Sequence, residues 1–272
     1  MALTAPGFYD PTQASEVYIE RAALMAETAA DYQRQHRIQP AERDAYRIAA
    51  FGIDCQISFC MPGGSLFVPG TVEDTQRTLS WLYSNLDKLT GLLFSLDTHR
   101  IYQIFHPAWW TGSQGQHPAP MTTITADEVR HGTWIPLAHE KECLEYCDKL
   151  EAGGKYVLTI WPYHGLLGGI SHALVPALME AAVFHSLVRQ QQTHVEIKGT
   201  LTLSEHYSVL APEVRELGGK SIGGFNEALF KTLLAYDRIY VFGQAKSHCV
   251  RATLCDLRNR LEETDPSLLD KI

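Results

Sequence analysis

Five short apolar runs separated by amphipathic stretches constrain the fold of this chain more than any other feature. The runs are Ala45–Ile53 (AYRIAAFGI), Leu89–Leu96 (LTGLLFSL), Lys155–Ile160 (KYVLTI), His194–Ile197 (HVEI) and Arg238–Phe242 (RIYVF). Runs of this length without strict alternation read as strands buried on both faces. Between them, residues 72–86, 143–150, 170–191 and 224–235 carry helical periodicity, the last after a Gly-Gly pair that suits a helix start. Strands alternating with helices predict an α/β fold, a doubly wound, mostly parallel sheet with helices on both faces. In such a sheet a ligand sits at the carboxyl ends of the strands, so the residues that follow each run are where chemistry is expected.

Two regions stand outside the alternation. Residues 14–36 predict a helix within an N-terminal helical extension over residues 1–40, placed to cap the core or to meet another subunit. The main domain then covers residues 41–272. Within it, residues 107–142 open with PAWWTGSQGQHPAP, rich in Pro, Gly, Ser and Gln and lacking periodicity, and are expected to be an excursion serving as a lid or an oligomer contact. A chain of 272 residues that is 45% hydrophobic suits one large α/β domain. A net charge of -8 argues against nucleic acid or an anionic membrane as partner, which leaves a small molecule. The first 20 residues lack a basic region followed by an apolar core, and no apolar run is long enough to span a bilayer, so a cytoplasmic location is expected. Six cysteines without scaffold spacing fit reduced thiols there.

The five runs are followed by Asp54, by Asp97 and His99, by Trp161 and His164, by Lys198, and by a segment that carries Cys249. Cys249 falls at the start of a helix, where the helix dipole favours the thiolate, the form that attacks carbonyls. A thiol needs a proton acceptor and a nearby cation, roles that Asp54 and Lys198 can fill; the alternatives are a structural ion pair and a packing cysteine. Backbone N–H groups of the turn around Ala245 and Cys249 would hold a developing oxyanion. Asp97, His99 and His164 offer one oxygen and two nitrogens, a donor set that suits zinc, iron or manganese with positions left open, and His106 is a candidate fourth ligand. His139, Cys143 and Cys147 share one helical face but lack a fourth ligand, so packing is expected of them. Cys55, Cys60 and Cys255 read as small core residues.

These motifs, in this order, resemble the isochorismatase-like cysteine hydrolases, and among them the nicotinamidases. The carrying residues are DCQISFCMPGGSLFVPG from Asp54, Asp-Thr-His at 97–99, Trp-Pro-Tyr-His at 161–164, the lysine before glycine at 198, and GQAKSHCV from Gly243, a match over residues 45–260. The resemblance implies the isochorismatase-like hydrolase fold, with Cys249 as nucleophile, Asp54 as its base and Lys198 completing the triad. It implies a metal on Asp97, His99 and His164 that binds the pyridine nitrogen of nicotinamide, with Phe59 and Trp161 on the two faces of the ring. It implies a cis peptide at Gln244–Ala245. The expected activity is hydrolysis of nicotinamide to nicotinate and ammonia through a thioester, with zinc as the metal, in a homo-oligomer. Hydrolysis of another amide, carbamoyl or ureido compound, or silent binding of a pyridine-like metabolite, are the other readings. The chain departs from the family in the long interval between His99 and His164, in Lys246 and Ser247 where Thr and Asp are common, and in the absence of a further strand after residue 260, which predicts an incomplete sheet edge. Lys246 is expected to place a second cation near the thiol, either favouring the thiolate or holding an acidic group of a substrate.

Overall fold

The computed structural model describes residues 2–272. Four strands form the central sheet: β1 (Ile48–Ile53), β2 (Gly91–Asp97), β3 (His194–Lys198) and β4 (Arg238–Gly243). All neighbouring pairs are parallel, in the order β4-β1-β2-β3. The helices are α1 (Ala22–His36), α2 (Thr71–Ser84), α3 (Glu140–Ala152), α4 (Pro176–Arg189), α5 (Glu227–Leu234) and α6 (Arg251–Thr264). Side chains alternate across β1 and β2 and feed two cores. Ala49, Phe51, Ile53 and Leu93 join residues of α3, α5 and α6, while Ala50, Leu92 and Phe94 join residues of α1, α2 and α4. The sheet is therefore covered on both faces, as a doubly wound sheet requires. The order in which strands are added reverses at β1, which pairs with β2 on one side and β4 on the other, and this is where such sheets open a crevice.

Three expectations are corrected. The run at 155–160 does not enter the central sheet: only Leu158–Thr159 is extended, paired antiparallel with Thr123–Ile124. Its apolar residues pack into the same core without taking a place in the ladder. The fourth run, His194–Ile197, is an edge strand rather than a doubly buried one, since Val195 and Ile197 are exposed. The segment 107–142 is neither aperiodic in structure nor a lid. It holds Trp110–Gly112 paired with Trp134–Pro136 and a helical turn at Ala126–Arg130, and its Trp109 and Trp110 are fully buried in the core. Indole burial anchors the segment and substitutes for periodicity. Among the described residues, β4 is the other edge of the sheet, and no helix is long and apolar enough to cross a membrane.

The N-terminal helix starts later than the periodicity predicts, after a 3-10 turn at Pro11–Ser15. It packs on α4 through Met25, Ala29 and Tyr32. Its entry is held by a buried acid. Glu180 accepts from the Arg21 backbone N–H (2.9 Å), from Arg21 Nε (2.8 Å) and from Tyr18 Oη (3.0 Å). Glu180→Ala removes these acceptors together and is expected to cost about 2–3 kcal/mol in chemical denaturation; a loss below about 0.5 kcal/mol would show that the acid does not hold the helix.

Candidate active site

The carboxyl ends of the four strands deliver Asp54, Asp97, Lys198 and Cys249 to one place. Asp97 and Lys198 are register partners at the ends of β2 and β3. The Lys198 ammonium is buried and spends its donors inward: it donates to Asp97 Oδ1 (2.8 Å) and to the His206 carbonyl (2.8 Å), and lies 3.6 Å from Cys249 Sγ. It also forms an ion pair with Asp54 Oδ2 at 3.0 Å, although the angles are not those of a hydrogen bond, and that oxygen has no hydrogen-bond donor. Asp54 Oδ1 accepts from Ser95 Oγ (2.6 Å). Asp54 thus keeps one oxygen able to take the Cys249 proton.

Burial is the strongest influence on each of these groups. Alone it would depress Lys198, but Asp54 and Asp97 outweigh it and hold the amine well above its ordinary range. Burial raises Asp54, with Lys198 opposing. For Asp97 burial is overcome by His99 and Lys198, which hold the carboxyl well below the usual range. Cys249 corrects an expectation. Burial pushes its thiol well up, against the pull of Lys198, so the resting group is the thiol and position before a helix does not suffice to ionise it. The residue sits in a single π-turn, Lys246–Val250, just ahead of α6. The peptide bond Gln244–Ala245 at the foot of that turn is cis.

Asp97, His99 and His164 converge so that one ligand atom of each lies within 4.8 Å of the others, all three buried. His99 Nδ1 donates to the Gly199 carbonyl (3.2 Å) and His164 Nδ1 to the Pro162 carbonyl (2.7 Å). Each Nε2 is thereby turned to Asp97 Oδ2, at 2.9 and 3.4 Å. Two imidazole nitrogens oriented by hydrogen bonds at the other ring nitrogen, together with one carboxylate, fit a divalent transition metal. Two glycines allow the approach: a Cβ on Gly165 would stand 2.5 Å from the Asp97 carbonyl, and one on Gly199 2.8 Å from Asp97 Oδ1, and both have positive φ. His106 is not part of the group. Its Nδ1 faces the Ile101 carbonyl (3.1 Å), and burial lowers its pKa to about 3.

A cavity of about 250 Å³ opens onto Cys249, Asp97 and His164, walled by Phe59 and Trp161. Leu66 to Pro69, Glu205 and Tyr207 also line it, and no residue of 107–142 does. Lys246 is exposed and lines a different cleft, so it does not reach this cavity. Sequence reasoning missed several participants. Gln56 clamps the Asp97 backbone, accepting from its N–H (2.7 Å) and donating to its carbonyl (3.0 Å); its place two residues after Asp54 is the available signal. His248 faces Trp161 edge-on at 5.6 Å. Glu205 is buried and raised by that burial, with His99 opposing. Away from the site, Cys143 accepts from Trp109 Nε1 (3.2 Å) and Cys147 is buried beside it in α3. Cys55 and Cys60 are buried, but Cys255 is exposed on α6 and not a core residue.

The fold is an α/β architecture with a parallel sheet covered by helices on both faces. It is similar to the crystal structure of yeast nicotinamidase bound to the inhibitor nicotinaldehyde, with a TM-score of 0.51, 19% identity, and coverage of 78% of this chain and 82% of that one. It is equally similar to an Acinetobacter baumannii nicotinamidase/pyrazinamidase structure, with a TM-score of 0.51, 18% identity, and coverage of 80% of each chain. No protein-family profile matches the chain, and no curated protein matches it in sequence. Asp97→Ala or His164→Ala should each abolish metal retention, whereas the unaltered protein should carry about one divalent transition metal per chain by elemental analysis. Metal-free protein after purification in metal-containing buffer would overturn the assignment.

Proposed function

We propose that this protein is a cysteine-dependent amidohydrolase acting on a small ring carboxamide, with nicotinamide as the leading substrate. The observation that carries the reading is the buried Lys198 between Asp54, Asp97 and Cys249, the last two of which line an aromatic-walled cavity. Cys249 gives its proton to Asp54 as Sγ attacks the amide carbon, forming the S–C bond and moving the carbonyl π electrons onto oxygen. The N–H groups of Ala245 and Cys249 are the donors assigned to that oxygen. Collapse breaks the C–N bond, and Asp54 returns the proton to the departing nitrogen, which leaves as ammonia. Water then attacks the thioester, Asp54 accepts its proton, and the acid and the Cys249 thiol are released. A buried base of raised affinity for protons suits this shuttle, since it must both take and give.

Phe59 and Trp161 supply two aromatic surfaces and suit a flat ring. Asp97, His99 and His164 are the residues that would hold zinc, or iron or manganese, which when bound offers a Lewis acid to a ring-nitrogen lone pair. The likeness to nicotinamidase structures supports the same substrate class. Removing a member of a unit acting together removes nearly all activity, so Cys249→Ala, Asp54→Ala and Lys198→Ala are each expected to lower ammonia release about a thousandfold or more. Retention by Cys249→Ala of more than about a hundredth of the activity would refute the nucleophile assignment. Nicotinamide should be turned over far more efficiently than benzamide, which keeps the ring and lacks the nitrogen. Equal rates, or no ammonia from nicotinamide while a ureido or carbamoyl compound is consumed, would exclude nicotinamide as the leading substrate.

A further inference from the structure

Two clefts away from the candidate active site join along the free edge of β4. One, of about 780 Å³, is lined by Asp74 and Arg77 of α2, by residues 241–244, and by Arg251 and Leu254 of α6. The other, of about 270 Å³, continues it past Trp81 and Tyr240, and the two share Arg77, Val241 and Phe242. The floor is unpaired backbone. The Gln244 N–H donates to the Ile53 carbonyl (2.8 Å) and the Arg238 N–H to the Arg47 carbonyl (3.2 Å), so the even-numbered residues of β4 bond to β1. Alternate residues of a parallel strand face opposite neighbours, which turns the N–H and C=O groups of Ile239, Val241 and Gly243 to the side where no strand lies. No hydrogen bond reaches them there among the described residues. The walls are apolar on both faces: Phe242 joins the core on the α2 side, where Trp81 meets Tyr240 at 5.1 Å, and Val241 joins the core on the α6 side. A strand laid in this slot would be covered above and below, as the inner strands of a parallel sheet are.

Shape and charge narrow the occupant. A second copy cannot bring its own β4 to this edge, because α2 and α6 wall the slot on both faces and the helices of the two copies would meet before the strands did. A lone extended segment carries no such walls. At the carboxyl end of β4, Lys246 and Arg251 line the cleft, both exposed and neither in an ion pair among the described residues. The acid beside them is already engaged: Asp74 accepts from Arg77 Nη2 (3.0 Å) and from Gln244 Nε2 (3.0 Å). Two unpaired cations in a chain of net charge -8 mark that end of the slot for an anion. A strand added parallel to β4 finishes at the same end, so its terminal carboxylate falls beside them.

We propose that the β4 edge is a docking slot for the extended, apolar C-terminal segment of another protein, which adds parallel to β4, bonds to the backbone of Val241 and Gly243, and places its terminal carboxylate against Lys246 and Arg251. Backbone pairing supplies affinity and the carboxylate fixes direction and register. Fluorescence anisotropy with a labelled hexapeptide of alternating valine and threonine, free at its C-terminus, tests this on the full chain. The peptide should bind saturably, and amidation of its C-terminus should weaken binding about tenfold. N-methylation of two successive central residues removes a donor from the bonded side in either register and should abolish binding. Lys246→Glu combined with Arg251→Glu should remove the preference for the free carboxylate over the amide. The peptide comparisons need no variant to fold. No saturable binding, equal binding of the free and amidated peptides, binding that survives N-methylation, or a preference unchanged in the double variant overturns the proposal. A dimer in sedimentation that Tyr240→Lys disperses would give the edge to a second copy and overturn it as well.

Discussion

Everything at the mouth of the sheet depends on one buried ammonium. Without Lys198, Asp54 and Asp97 would face each other as two carboxylates removed from water, and one of them would have to hold a proton permanently. Lys198 reaches them from the edge strand, passing the end of β2 to arrive beside β1. Its compact head suits the position, since three donors are directed at Asp97, the His206 carbonyl and the Asp54–Cys249 pair. A planar guanidinium could not distribute its donors in those three directions. The same cation keeps Asp97 ionised, which a metal ligand must be, and biases Cys249 toward the charged form against burial. The Asp97, His99 and His164 group and Cys249 are therefore electrostatically one site.

That coupling explains why the thiol is held deep rather than exposed. Dry surroundings disfavour a standing thiolate, and they also strengthen each charge interaction that forms during reaction. The aromatic walls contribute to this, because Phe59 and Trp161 are themselves nearly buried.

The parts of the site legible in the sequence are those that follow directly from parallel-strand geometry. Asp54, Asp97, Lys198 and Cys249 each come directly or shortly after a short apolar run, and the carboxyl ends of parallel strands meet. His164 was legible as a residue but not by its route, since it arrives through an irregular segment let in by Gly165 and not from a sheet strand. Edge and centre were not distinguishable: Val195 and Ile197 look like core residues because a sequence does not show whether a strand has a neighbour. Residues 107–142 hid their order because two buried indoles hold them, a few strong contacts in place of a repeating pattern. Lys246 shows the complementary limit, since nearness along the chain to Cys249 is not nearness in space, and Cys255 lies on the exposed face of its helix rather than in the core. Glu205 had no signal at all, lying in an irregular connection whose path only the folded chain defines.

The position of β1 has a consequence for biosynthesis. Its neighbour β4 lies far along the chain, so that Arg47 and Asp237, bonded at the foot of the pair, are 190 residues apart. During translation β1 and β2 can pair while the other side of β1 still lacks its partner, and an unpaired apolar edge is open to wrong pairing. Cys249 follows β4 and emerges later still. A nascent chain consequently bears its acids and its lysine long before it bears the thiol, and the period of greatest aggregation risk ends at nearly the same moment as the site becomes complete.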